Sequence, residues 1–227
     1  MTTPMNVGIY IFEDMTMLDG YAPLQMFALV EQFNTFTFAQ DSAPMKSDCG
    51  AMLTPDYDFT NCPALDILLV PGGGNVLPQM LNEEVQQFLK DQASRAQYVT
   101  SVCTGALILA EAGLLDGFKA TTHWGWVDSL SAYSAIEVVD QRVVVDRSRI
   151  TGGGITAGLD FALTLIGEVV APPVAQAMQL VFEYRPAPPY DSGSPDKAPA
   201  EILAMVNGMI AEQSKDLFEF IKNKKAA

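Results

Sequence analysis

A single histidine, His123, stands in 227 residues. No two-histidine zinc motif such as H-E-x-x-H can be built from it, and no carboxylate cluster is evident that would hold a metal instead. Cysteine is scarce too. Cys49, Cys62 and Cys103 are odd in number and form no C-x-x-C pair, which argues against a disulfide framework or a cysteine zinc site and makes the cytoplasm the expected compartment. Positive charge is short: 13 Lys and Arg face 27 Asp and Glu, a formal net charge of −14. That sign repels phosphate backbones and anionic lipid, so neither nucleic acid nor a membrane is an expected partner. No apolar run reaches the ~20 residues that span a bilayer. The start, MTTPMNVGIYIF, has no basic segment ahead of an apolar one, so a soluble chain without a leader is expected.

Apolar residues are plentiful, 49% against 18% charged, a balance that supports a sizeable globular core. The length suits one large domain or one with an appendage. Asn6 to Phe12, Thr35 to Gln40 and Leu65 to Val70 have strand length and apolar or alternating character. Asp41 to Pro63 mixes turn residues with short apolar pieces, as a hairpin and loops would. Glu83 to Ala96 has helical apolar spacing between Leu65–Val70 and Tyr98–Val102, so strand, glycine loop, helix and strand form a βαβ unit.

The run Tyr98 to Val102 meets Cys103 and passes into the helix-forming Gly105 to Ala110 without a loop. A side chain on so sharp a strand-to-helix turn stands clear of both elements, and the helix dipole favours its ionisation. Cys103 therefore reads either as a reactive thiol or as a small buried hydrophobe. Asp19 precedes Leu24 to Val30, a helix expected to start near Pro23, so Asp19 is either an N-terminal cap or the partner of a nucleophile. Gly72 to Gly74 closes a strand at the sheet's carboxyl edge, where backbone N–H groups can receive an anion; the spacing fits no P-loop or G-x-G-x-x-G. Gly152 to Gly158 repeats the arrangement ahead of another helix. His123 stays a neighbour without a role. Ile202, Met205, Val206, Met209 and Ile210, with Leu217 to Ile221 beyond, form a tail helix with a face to bury against the domain or a second subunit.

The combination SVCTGALILAEAGLLDG, ATTHW, TGGGITAG and EYRPAPPYDSGSPDKAPA resembles the isonitrile hydratases (isocyanide hydratases) of the PfpI-like, class I glutamine amidotransferase-like superfamily. The resemblance runs from the first strand to the Pro-rich segment and tail. It implies an α/β, flavodoxin-like three-layer sandwich with a central, mainly parallel sheet over residues 1–190. A mostly helical C-terminal extension over 191–227 would pack on the domain or a dimer partner. It also implies a cytoplasmic homodimer that hydrates an isonitrile, R–NC, to the N-substituted formamide without metal or cofactor. Residue by residue, Cys103 matches the nucleophile and Asp19 the acid beside it. Thr104 matches the threonine whose N–H faces the site, and Gly73 falls in the glycine loop. Thr104 stands where the superfamily's peptidases carry a histidine, which disfavours proteolysis. The Gly20-Tyr21-Ala22-Pro23 run replaces the leucine-threonine-glycine-proline of the hydratases, at what is expected to be the site entrance. SVCTG with ATTHW also occurs in regulators with a C-terminal helix-turn-helix domain. A ligand or redox sensor is thus the alternative, although no such module is expected here. Carbonyl or glycation repair is a third reading.

Overall fold

The computed structural model describes residues 3–226. From β1 (Met5–Tyr10) the chain enters α1 (Met17–Phe27) and returns in β2 (Phe33–Ala39). A hairpin of two-residue strands, β3 (Met45–Lys46) and β4 (Met52–Leu53), leads to the edge strand β5 (Tyr57–Asp58). Next come β6 (Ile67–Val70), α2 (Leu77–Leu81), α3 (Glu83–Ala93), β7 (Tyr98–Val102) and α4 (Gly105–Glu111). The pair β8 (Lys119–Ala120) and β9 (Glu137–Val138) encloses a 3₁₀ turn at Trp124–Trp126 and α5 (Val127–Leu130). An antiparallel hairpin, β10 (Val143–Asp146) and β11 (Arg149–Gly152), precedes α6 (Ala157–Val169) and α7 (Pro172–Val181); α8 (Ala200–Gln213) and α9 (Lys215–Ala226) complete the described chain.

Seven strands form one sheet in the order β10-β11-β7-β6-β1-β2-β5, parallel except for β10. Helices flank it as a flavodoxin-like three-layer sandwich: α6 packs against both α1 and α7, and α2 to α5 form a second group. β6 to Val70 is wholly buried, as a strand covered on both faces must be, which is why it reads as an unbroken apolar run. The chain leaves β1 toward β2 on one side and β6 toward β7 on the other. β1 and β6 are neighbours, so the topological switch lies between them, and the loops at their carboxyl ends flank a crevice. The loop after β1 leads into the first turn of α1, which carries Asp19; the loop after β6 carries Gly72 to Gly74, and the next strand delivers Cys103.

Three expectations change. α1 starts at Met17, so Asp19 lies inside its first turn and not ahead of the helix. Pro23 is the seventh helical residue, and its ring removes the bond that the Asp19 carbonyl would have accepted. The helix persists because tertiary contacts replace local ones: Asp48 accepts the Met17 N–H at 3.1 Å from the β3–β4 loop, and Pro23 packs beside Gly158 of α6. Gly20 is buried with its Cα facing Met15 and Ile9, where a Cβ would already stand 3.0 Å from the Met15 side chain. Position 20 is therefore part of the core and not of an entrance. The tail forms two helices broken at Ser214, with Leu217 and Ile221 buried in the main core.

Candidate active site at the strand-to-helix elbow

Cys103 sits between β7 and α4 with φ of +58°. This left-handed conformation costs a non-glycine residue roughly 1–2 kcal/mol, so the surroundings must impose it. They do so through the backbone: the Cys103 N–H lies 2.9 Å from the Gly153 carbonyl and 3.1 Å from that of Gly152, and the Cys103 carbonyl accepts the Thr122 hydroxyl at 2.9 Å. The second glycine run thus walls the elbow. On the other side, a Cβ on Gly105 would lie 2.1 Å from the Val70 carbonyl oxygen and 2.7 Å from that of Pro71. Only glycine lets α4 leave the strand this close to β6. Gly105→Ala is expected to destabilise the protein by at least about 2 kcal/mol, a backbone overpacking cost; an unchanged thermal midpoint would contradict it.

Asp19 is 0% exposed and Cys103 4%. The Asp19 Oδ2 accepts the Gly72 N–H at 3.1 Å, while Oδ1 has no conventional partner. The group beside it is the Cys103 thiol. Burial pushes the Asp19 carboxyl up to about 7, against the opposing pull of the Cys103 thiol and the Gly72 N–H; the Asp48 charge adds to the rise. Burial likewise pushes the Cys103 thiol well above its ordinary value, with the Asp19 charge adding, although the Thr104 N–H pulls the other way. The expectation of a readily ionised thiol at this turn is thereby corrected. Burial thus opposes the ionisation that the turn would favour.

Thr104 and Gly73 are coupled directly. The Thr104 hydroxyl donates to the Gly73 carbonyl at 2.7 Å and accepts the Gly73 N–H at 2.9 Å. Gly73 therefore forms a wall, but its N–H is spent on Thr104 and is not offered to an anion; the Gly72 N–H is spent on Asp19. Gly72, Thr122 and the Gly152 and Gly153 carbonyls are parts of the site that sequence reasoning did not assign. Their signal was present in the PGGG, ATTHW and TGGG runs, but their targets were not.

A cavity of about 370 Å³ adjoins the elbow through Thr122 and Gly153, with His123, Trp124, Arg142 and Ser194 among its lining. Neither Cys103 nor Asp19 lines it. Burial lowers His123 to about 4, and its Nδ1 accepts the Gly125 N–H at 3.1 Å, so the ring is neutral. Arg142 pairs with Asp160. The exposed Asp140 carboxylate also lines the cavity.

The DJ-1/PfpI family model matches residues 5–168. The chain belongs to the DJ-1/PfpI family. Within that family it is 47% identical over 199 residues to the isonitrile hydratase of Pseudomonas putida, covering 88% of this chain and 87% of that one. A ThiJ/PfpI family protein from Pseudomonas syringae superposes with a TM-score of 0.89 at 37% identity, over 99% of this chain and 90% of the other. The HTH-type transcriptional regulator GbdR of Pseudomonas aeruginosa is 30% identical over 80% of this chain, which spans 51% of that regulator's length. Among the described residues, no group of His, Cys, Asp and Glu is placed to hold a metal, and no helix is long and apolar enough to cross a membrane.

Proposed function

We propose that this DJ-1/PfpI protein hydrates isonitriles to N-substituted formamides, with Cys103 as nucleophile and Asp19 as the acid and base. The observation that carries the reading is the buried thiol and carboxyl pair on the elbow, joined to 47% identity with an isonitrile hydratase. The Cys103 sulfur adds to the terminal carbon of R–NC as the pair's proton, passed through Asp19, goes to that same carbon. The product is the thioimidate R–N=CH–S–Cys103. Water then adds to the carbon while Asp19 takes one of its protons, the nitrogen is protonated, and the C–S bond breaks to give R–NH–CHO and the thiol. Atoms balance as R–NC plus water.

A carboxyl whose affinity for protons lies near neutrality can both give and take a proton, and burial sets Asp19 there. The Thr104 N–H favours negative charge on the sulfur. The same reading takes the protein as a cytoplasmic homodimer that works without cofactor, with residues 1–190 as the catalytic domain and 191–227 as an extension packed on it. Purified protein given one aliphatic and one aromatic isonitrile is expected to release the matching N-formamide, read by mass spectrometry. No product from either would sink the proposal.

Similarity to GbdR supports a second reading, a redox or ligand sensor. Peroxide that converts Cys103 to a stable sulfinate in a protein without isonitrile turnover would favour it.

A further inference from the structure

The Gly72 to Gly74 loop is gripped from three directions. Thr104 holds both backbone groups of Gly73. The segment before α1 holds it from a second side, with the Thr16 N–H on the Gly72 carbonyl at 2.9 Å and Met15 bridged to Gly73. The third grip comes from 140 residues away: the Ser214 hydroxyl donates to the Gly74 carbonyl at 2.8 Å. Ser214 is 1% exposed and forms the break between α8 and α9. The neighbouring Gln213 side chain lies over Gly74 so closely that a Cβ there would stand 1.7 Å from Nε2. The tail bearing Ser214 is itself anchored, with Leu217 and Ile221 buried and Lys224 paired with Glu111 at 3.1 Å.

Two residues before Gly74, the same loop supplies the Gly72 N–H, which donates to the Asp19 Oδ2. Cys103 from the elbow and Asp48 from the β3–β4 loop are the titratable groups acting on Asp19. We propose that Ser214 is a positioning residue: by fixing Gly74 it holds the Gly72 N–H on Asp19 and so orients the carboxyl toward the Cys103 thiol. The C-terminal helices thereby belong to the reaction's scaffold. The inference rests on the reading of Asp19 as the acid and base.

The Gly72 N–H favours the ionised carboxyl, so a slack loop makes Asp19 harder to deprotonate. In Ser214→Ala the titration midpoint of the Asp19 carboxyl is expected to move up by about half a pH unit, the worth of a weakened hydrogen bond. It is read by ¹³C NMR of aspartate-labelled protein, with Asp19→Asn identifying the signal. Ser214→Cys keeps the side chain's approximate size with a weaker donor and shifts the midpoint the same way by less. Lys224→Ala loosens the same tail away from Gly74 and leaves the midpoint in place. An unmoved midpoint in Ser214→Ala, or an equal shift in Lys224→Ala, would overturn the proposal. The titration needs no substrate, so its outcome stands apart from whether isonitriles are turned over. If they are, kcat/KM below the midpoint falls a few-fold in Ser214→Ala.

Discussion

Cys103→Ala is expected to reduce isonitrile turnover by at least about 10⁴-fold, to background, because on the proposed mechanism it removes the covalent nucleophile and leaves only binding and polar stabilisation. Folding is expected to survive. Alanine at this position bears the same left-handed backbone as cysteine, so the strain is unchanged, and the small cavity left by sulfur costs on the order of 1 kcal/mol. The backbone bonds from Cys103 to Gly152, Gly153 and Thr122 do not involve the side chain. A fully folded Cys103→Ala protein with wild-type turnover would exclude the thioimidate route. Mass spectrometry of wild-type protein quenched during turnover adds a direct reading: an adduct of the isonitrile's mass on the peptide bearing Cys103, absent from the variant.

Asp19→Asn separates catalysis from stability. Loss of the proton carrier lowers kcat/KM by about 10²- to 10⁴-fold. The same substitution raises stability at alkaline pH, and its sign follows from the Asp19 shift. The carboxyl has an ordinary value of 3.8 when exposed and about 7 when buried in the folded protein. Below about pH 4 it is protonated in both states and imposes no penalty. Between there and pH 7 the unfolded chain ionises first, so the folded state progressively loses stability. Above pH 7 the penalty is complete and flat, on the order of 4 kcal/mol. Asparagine does not ionise, so unfolding of Asp19→Asn is expected to lack this loss, with equal midpoints near pH 4 and a higher midpoint than wild type at pH 8. Parallel curves over that range would show that the carboxyl ionises freely in the folded protein. On the proposed mechanism the one-proton pair is the working state, so kcat/KM of the wild type is expected to rise as pH passes upward through about 7.

The sequence was most legible where a local pattern serves a local purpose. The apolar run ending in Val70 announces a strand buried on both faces, and the change from Val102 to Gly105 announces the elbow, because β-branched residues and a following helix former leave no room for a loop. The pairing of Asp19 with Cys103 came from resemblance, since the 83 residues of chain between them carry no information about distance. Pro23 misled the helix start, because propensity counts the lost backbone bond but not the packing on Gly158 that offsets it. The thiol's protonation was misjudged for a similar reason. A turn geometry can be read from residue types, whereas desolvation depends on everything that closes over the sulfur.

The sequence by itself determined the α/β class, the strand-to-helix turn at Cys103, the glycine loops that permit close approach, and an acidic chain poor in metal-binding side chains. The tertiary structure decided which atoms those glycines serve. Gly72 donates to Asp19, Gly73 is held by Thr104, and Gly74 is held by Ser214 from the far end of the chain. These assignments arise because the sheet's switch point gathers the loops after β1, β6 and β7 at one edge, where burial, more than any residue's identity, sets the affinity of the carboxyl and thiol for their proton.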